Sequence, residues 1–362
     1  MGIFGSLFEK RLVGLDIGVS GIKAVELSGR ADAPRLAAYN RIPLPWDAIT
    51  PEGEIKKRDS VVGALKKLFD SRDFSSKYVA VGASGNAIIT KKISVPKMGE
   101  AELREQLYWE AEQYIPFPVN EVNLDFAIIG NSQNTAPDGA ALMDVLLVAA
   151  KKEYIQSMSA LIQEAGLIPK VIDNQSFALG NSFEFNYGVL ISEHAGMSTN
   201  VIIDFGAGST KLSIVEGDKT TFTRDLPQSG IGCTLLLSER LGISIEDAER
   251  LKIQQPDQEA VENVLNDYNR GIVDEIGRTL DFAISHNAEH GIQGIYLCGG
   301  ASRTLGLIEM LADGLPAPVR PLNPVQGISG TGRKMSAQAI RELSYLGAVA
   351  IGLALRVPGD TR

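Results

Sequence analysis

Apolar and polar positions predict three strands near the start of the chain, at Leu12 to Ile17, Ile22 to Leu27 and Arg35 to Ile42, arranged as a meander. A helix follows over about Asp59 to Phe69, then a strand in "KYVAVGAS" that ends at Ser84. The texture changes between about Gly85 and Gly166. "NAIITKKISVP" reads as a strand, and Ala101 to Tyr114 as a helix with Leu103, Leu107, Ala111 and Tyr114 on one stripe. "NLDFAIIG" and "MDVLLVAA" read as strands joined by the polar loop "NSQNTAPDG". "KKEYIQSMSALIQEAG" is a second helix, apolar at Tyr154, Met158, Leu161, Ile162 and Ala165 and ended by Gly166. Strand, helix, two strands and helix predict a compact α+β insert.

After "PKVIDNQSFALGNSF" a second sheet begins near Val201. Helices are predicted at Gly230 to Leu241, at Ile245 to Ile253, and over about Glu262 to His290, where Val264, Tyr268, Ile272, Ile276 and Leu280 recur every fourth residue. That stripe marks a helix lying along a sheet. "GIYLCGGASRTLGLIEMLADGL" gives a strand, a glycine turn and a helix, and the loop "PLNPVQGISGTGRKM" leads to a final apolar helix, "LSYLGAVAIGLAL".

Composition narrows the class. At 362 residues, 44% hydrophobic and 22% charged, the chain has room for about two domains. A formal net charge of -9 argues against a broad basic face for nucleic acid. Cys233 and Cys298 form no CxxC pair, so neither a disulfide framework nor a zinc site is indicated and a reducing, cytosolic setting fits. No apolar run approaches the roughly 20 residues of a membrane span, which predicts a soluble protein. Ile3, Phe4, Leu7 and Phe8 fall at helical spacing before Lys10 and Arg11, either a short lipid- or partner-facing anchor or a lead-in packed on its own domain.

The chemistry lies in a repeated loop. "VGLDIGVSGIKAVELSG" and "VIIDFGAGSTKLSIVEG" share D-x-G-x(4)-K: Asp16, Gly18 and Lys23 in the first, Asp204, Gly206 and Lys211 in the second. An apolar strand enters and another leaves each time, so each loop is predicted at a hairpin tip. The glycines let main-chain N–H groups converge on an anion, and Ser20 with Ser209 or Thr210 adds hydroxyl donors. Asp16 and Asp204 cannot cradle phosphate, but they suit the waters around a Mg²⁺ that neutralises it. Two such hairpins predict a nucleotide clamp. Gly299 and Gly300, between a strand and a helix, let a planar ring lie close to backbone. Glu249 and Lys252 share a helical face, either as contacts to ribose and adenine or as a solvated ion pair.

These residues resemble the actin, Hsp70 and hexokinase-like ATPase superfamily. "LDIGVSGIK" is similar to its first phosphate loop, "VIDNQSFAL" to its first connecting segment, "IIDFGAGSTKLSIV" to its second phosphate loop, "IYLCGGASR" to its adenosine motif and "YLGAVAIGLAL" to its second connecting helix. "GSLFEKRLVGLDIG", "VPKMGEAELREQLYWEAEQYIPFPVNEVNLDF" and "GISIEDAERLK" resemble, within it, the FtsA-like PilM family of type IV pilus assembly. The resemblance implies an α/β fold of duplicated actin-like, ribonuclease H-like domains around a nucleotide cleft with an FtsA-type insert. Its subdomains would be 1A at 1–84 and 167–199 with helix 340–358 returning to it, 1C at 85–166, 2A at 200–228 and 260–339, and 2B at 229–259.

It implies ATP or ADP with Mg²⁺, the metal at Asp16 and Asp204. The nucleotide contacts would be Gly18, Val19, Ser20, Gly21 and Lys23; Gly206, Ala207, Gly208, Ser209, Thr210 and Lys211; Gly232, Glu249 and Lys252; and Gly299, Gly300 and Ser302. It implies a cytoplasmic scaffold that captures the N-terminal tail of PilN between 1A and 1C, is connected to motor and platform proteins, and meets the inner membrane only through partners. Asn174 falls where chaperones of the superfamily carry a water-ordering Glu, flanked by Asp173 and Gln175. An amide orients water without taking its proton, so hydrolysis is expected to be slow or absent. A filament-forming FtsA-like protein and a small-molecule kinase using Asp173 are the alternatives. Trp109 lies opposite the apolar stripe of its helix among Glu102, Glu105, Glu112 and Gln113, either as an anchor for a basic peptide or under the adjoining sheet.

Overall fold

The computed structural model describes residues 11–136, 139–193, 198–254, 259–287, 291–330 and 335–359. The readings placed on Ile3 to Arg11 and on His290 lie outside them, apart from Arg11 itself. Strands β1 (Val13–Gly18), β2 (Gly21–Arg30) and β3 (Ala33–Pro43) form the predicted antiparallel meander. Helix α1 (Arg58–Asp70) and strand β4 (Tyr78–Ala83) follow, β4 parallel to β1.

The insert comprises β5 (Ile88–Pro96), α2 (Glu100–Glu110), β6 (Val122–Thr135) and β7 (Ala141–Lys151), a three-stranded sheet in the order β5-β7-β6. Leu103, Leu107 and Ala111 of α2 and its 3-10 extension bury against Val95, Met143 and Val145. Strand β6 runs into "NSQNT", which was expected to be loop. It is an edge strand, and polar residues there are solvated without leaving the ladder.

Helix α3 (Lys152–Glu164) corrects the predicted insert boundary. Its stripe is buried as expected, but Met158, Leu161 and Ile162 join Val61, Leu65 and Val81 in the first domain's core. It is the crossover from the insert to β8 (Ile168–Asn174), which lies parallel to β4 and completes the order β3-β2-β1-β4-β8.

Helix α4 (Gln175–Glu193) leads to the second sheet: β9 (Thr199–Phe205), β10 (Thr210–Glu216), β11 (Lys219–Leu226), then helices α5 (Gly230–Leu241), α6 (Ile245–Ile253) and α7 (Glu259–Asn287). Strand β12 (Ile292–Cys298), helix α8 (Leu307–Gly314) and strand β13 (Val319–Pro321) give the order β11-β10-β9-β12-β13. This repeats the first sheet: an antiparallel meander of three strands extended by two parallel ones. Helix α7 covers it with Ile272, Ile276 and Leu280.

The final apolar stretch is two helices, α9 (Ala337–Leu346) and α10 (Ala348–Ala354), divided at Gly347. Helices α4 and α10 join the halves. Leu179, Phe183 and Tyr187 of α4 pack with Ile202, Val215 and Tyr296 of the second sheet, while Val349 and Leu353 of α10 pack with Leu12 and Ala80 of the first. Two glycines make room for α10: a Cβ at Gly14 would stand 2.0 Å from Ala350 O, and one at Gly352 1.7 Å from Ala178 O.

Candidate functional site

Both copies of the repeated loop are hairpin tips with the same register. Asp16 faces Lys23 across β1 and β2, and Asp204 faces Lys211 across β9 and β10. The tips open on one cavity of about 990 Å³ between the two halves. They also meet: a Cβ on Gly208 would stand 2.6 Å from Val19 Cγ2 and 2.9 Å from Pro51 O, so the second tip closes on the first only because that residue has no side chain.

The copies have diverged electrostatically. Lys23 Nζ donates to Asp16 at 2.7 Å, and both side chains are buried. Lys211 Nζ instead donates to Ser209 Oγ at 3.1 Å and to Asp225 at 3.3 Å. Burial pushes the Asp204 carboxyl above its usual range, and Asp16 pushes it the same way against the pull of Lys211 and Lys23. A buried carboxylate raised by burial and by a second carboxylate beside it suits an added cation. The thiol of Cys298, opposite Asp204 in the ladder, is raised by burial and then by that carboxylate.

The far end of the cavity is built by α5, α6 and the turn after β12. Gly299 has φ +86°, and a Cβ there would stand 2.3 Å from Asp204 Oδ1 and 2.4 Å from Phe205 O, so only glycine permits this approach. Lys252 is buried and donates to Gly230 O at 3.0 Å, Thr234 Oγ1 at 2.9 Å and Glu249 Oε2 at 2.6 Å. The pair is therefore no solvated surface bridge: Lys252 is held in place at the cavity wall while the Glu249 side chain stays half exposed.

Gly18, Val19, Ser20 and Lys23 line the cavity, as do Gly206, Ala207, Gly208, Ser209, Lys211, Glu249, Lys252, Gly299 and Gly300, together with Asp16 and Asp204. Gly21, Thr210, Gly232 and Ser302 do not. Gly21 is pressed against β3, where a Cβ would stand 2.6 Å from Ile42 O. Thr210 Oγ1 donates to Gln228 O at 2.7 Å, the Gly232 N–H is taken by the N-cap Ser229 Oγ at 3.2 Å, and Ser302 Oγ donates to Gly299 O at 2.7 Å.

The connecting segment also differs from expectation. Arg356 donates to Asp173 at 2.9 Å in a half-buried ion pair. Asn174 donates to Thr90 Oγ1 at 3.2 Å and accepts from Ser176 N at 2.8 Å. Neither lines the cavity; Gln175 does, and its Nε2 donates to Asp16 Oδ1 at 3.3 Å. The strand becomes a helix at Gln175, which breaks the alternation and turns that residue inward. A Cβ at Gly82 would stand 2.7 Å from Gln175 Cγ, so the glycine inside "VAVGAS" was the legible signal.

Sequence reasoning missed Trp46, Arg41, Thr234, Arg303 and Tyr345 at the cavity wall. Arg303, one residue beyond the expected Ser302, stacks 4.9 Å from the Tyr345 ring centroid and donates to its hydroxyl at 3.2 Å. Trp109 lies away from the cavity and is 81% exposed, so no sheet covers it.

A solved PilM-PilN type IV pilus biogenesis complex is similar over 96% of this chain and 99% of that one, with TM-score 0.83 and 29% identity. The ethanolamine utilization protein EutJ from Carboxydothermus hydrogenoformans shares the fold at TM-score 0.52 and 15% identity, over 97% and 91% of the two chains. The cell division protein FtsA of Bacillus subtilis (strain 168) is 26% identical over 265 residues, 67% of this chain, which spans 57% of that relative's length. The duplicated sheets around one cleft are the actin-like ATPase fold. A family model described as type IV pilus assembly protein PilM matches residues 14–358, and the chain belongs to that family.

Proposed function

We propose that this chain is an ATP-binding cytoplasmic scaffold of type IV pilus assembly that holds the N-terminal cytoplasmic tail of a PilN protein and links the inner-membrane alignment complex to the motor and platform proteins. Its association with the membrane runs through those partners. The observation that carries the nucleotide part is the pair of Asp-bearing hairpins facing each other across one cavity. Backbone N–H groups of the two tips would hold phosphates, Asp16 and Asp204 would hold the hydration shell of Mg²⁺, and Glu249 with Lys252 would meet the ribose and base. Bound Mg²⁺ would supply neutralisation of phosphate charge. It would also relieve the opposition between Asp16 and Asp204, so nucleotide acts as a brace between the halves.

Hydrolysis is slow or absent in this reading. Gln175, the residue of the connecting segment in the cavity, is an amide that orients water but takes no proton. The kinase alternative loses its candidate base, because Asp173 is paired with Arg356 outside the cavity.

For the tail, support comes from the similarity to the PilM-PilN complex; a groove of about 510 Å³ lies between α3 and the edge strand β8, within the first domain and not between it and the insert, where the tail was expected. Ile155, Ala160, Pro169 and Ile172 give it apolar walls, and an exposed strand edge suits an extended peptide. Calorimetric titration with Mg-ATP tests the clamp: Asp16→Ala and Asp204→Ala should each lose tenfold or more in affinity, and full affinity in both would end it. Sedimentation with ATP separates the scaffold, which stays small, from a filament former.

A further inference from the structure

We infer that the outer face of α2, centred on Trp109, is a second contact for the partner's tail, one that takes its basic residues. The inference rests on the proposed capture of a PilN tail. Glu102, Glu105 and Trp109 fall at i, i+3 and i+7, so they share one helix face, and all three are exposed. Glu112, also exposed, follows in the 3-10 turn. Trp109 is 81% exposed and its ring meets only the edge of Tyr108, 54% exposed, at 5.8 Å among the described residues. Trp is the side chain most enriched among interface anchors, and here it stands beside a second exposed aromatic.

Charge selects the occupant. Arg104, the one basic residue of α2, pairs with Glu100 and stacks over Phe126 at 4.9 Å, and among the described residues no ion pair takes Glu102 or Glu105. An uncompensated acidic face around an indole fits Arg or Lys, with a cation over the ring. Cytoplasmic segments next to a membrane span are rich in Lys and Arg. The α3–β8 groove has no carboxylate in its lining, and its one charge is Lys170, so it suits the apolar part of a tail and not the basic part.

The start of α3 is tied to the segment that follows α2. Glu112 Oε1 accepts from Val119 N at 3.0 Å, and Asn120 O accepts from Lys152 Nζ at 2.7 Å. Lys152 opens α3, one turn before the groove-lining Ile155 and Gln156. These bonds tie the start of α3 to the turn that Glu112 holds at the end of the acidic aromatic face.

The test titrates the full chain with the synthetic N-terminal peptide of PilN, and with the same peptide carrying Gln for each Lys and Arg. Trp109→Ala should weaken binding of the natural peptide by roughly tenfold or more. Glu102→Gln with Glu105→Gln should weaken it severalfold and flatten its salt dependence, and should leave affinity for the neutralised peptide unchanged. Natural-peptide affinity unaltered in both variants would overturn the inference while leaving tail capture standing. So would a Trp109→Ala variant whose only change is in self-association by sedimentation or in binding to anionic vesicles. A wild-type chain that binds neither peptide would remove tail capture itself, and this inference with it.

Discussion

Gly352→Ala sets two effects of opposite sign against each other. Alanine favours a helix interior by about 1 kcal/mol over glycine, and burying its methyl adds about 0.8 kcal/mol. Propensity and burial alone therefore predict a protein about 2 kcal/mol more stable. The new Cβ, however, would lie 1.7 Å from Ala178 O and 2.5 Å from its carbonyl carbon, both backbone atoms of a buried residue in α4. A normal contact there is about 3.2 Å, so α10 and α4 must separate by about 1.5 Å, which forfeits more than half of the dispersion across the crossing. With roughly thirty atom pairs at about 0.15 kcal/mol each, that loss is about 2 kcal/mol, and overpacking strain adds about 2 kcal/mol. The net expectation is destabilisation by about 2 kcal/mol, a fall in melting temperature of about 3 °C for a chain of 362 residues. Gly63→Ala is the control: Gly63 lies exposed inside α1, and a Cβ there meets nothing within 4 Å. It should stabilise by about 1 kcal/mol. Thermal unfolding of the two variants beside the wild type gives the answer. If Gly352→Ala melts at or above the wild type, α4 and α10 are not locked at this crossing.

Arg356→Ala removes one charge-assisted hydrogen bond to the half-buried Asp173 carboxylate and should cost about 2 kcal/mol in thermal unfolding, while Mg-ATP affinity stays unchanged because neither residue lines the cavity. Asp204 has a folded pKa above its unfolded value, so the native state keeps its proton longer, and stability present below the ordinary carboxylate range is lost as pH rises through the raised value. Asp204→Asn should therefore melt above the nucleotide-free wild type at neutral pH and converge with it in acid; a constant gap across melts from pH 4 to 8 would contradict this. Burial pushes the Cys233 thiol up to about 12 and the Cys298 thiol up as well, so a thiol reagent at pH 8 should label neither in the native protein and both after unfolding.

The hairpins could be read from sequence because each depends on local features: an apolar strand, an Asp, a glycine tip and a cross-strand Lys. The allegiance of α3 could not. A stripe at Met158, Leu161 and Ile162 reports that one face is buried, but not whether the insert or the first sheet buries it. The same limit hid the outcome for Glu249 and Lys252, whose spacing fits either a solvated pair or the buried cluster in which Lys252 also donates to Gly230 O and Thr234 Oγ1. Gln175 and Arg303 were missed or underweighted for a different reason. Each sits one residue beyond the position first favoured, Gln175 where strand gives way to helix and Arg303 at the end of a 3-10 turn, and at both places the side-chain direction departs from the strand's alternation.

The duplicated loops also carry an asymmetry that their shared spacing concealed. Both pair an Asp with a Lys in register, yet only Lys23 closes on its own Asp, while Lys211 turns to Asp225 and Ser209. The difference lies outside the motif, in β11, which supplies Asp225 as a competitor. The consequence for the proposed clamp is an order of events. Asp16 is already ion-paired with Lys23, whereas Lys211 acts on Asp204 only through space while it bonds Ser209 and Asp225, so an incoming cation gains most at the second copy. Asp204→Asn should then remove more of the magnesium dependence of ATP affinity than Asp16→Asn, measured by titration across magnesium concentration. Equal losses would mean that the two copies act as one symmetric site, and the rearrangement of Lys211 would have no functional consequence.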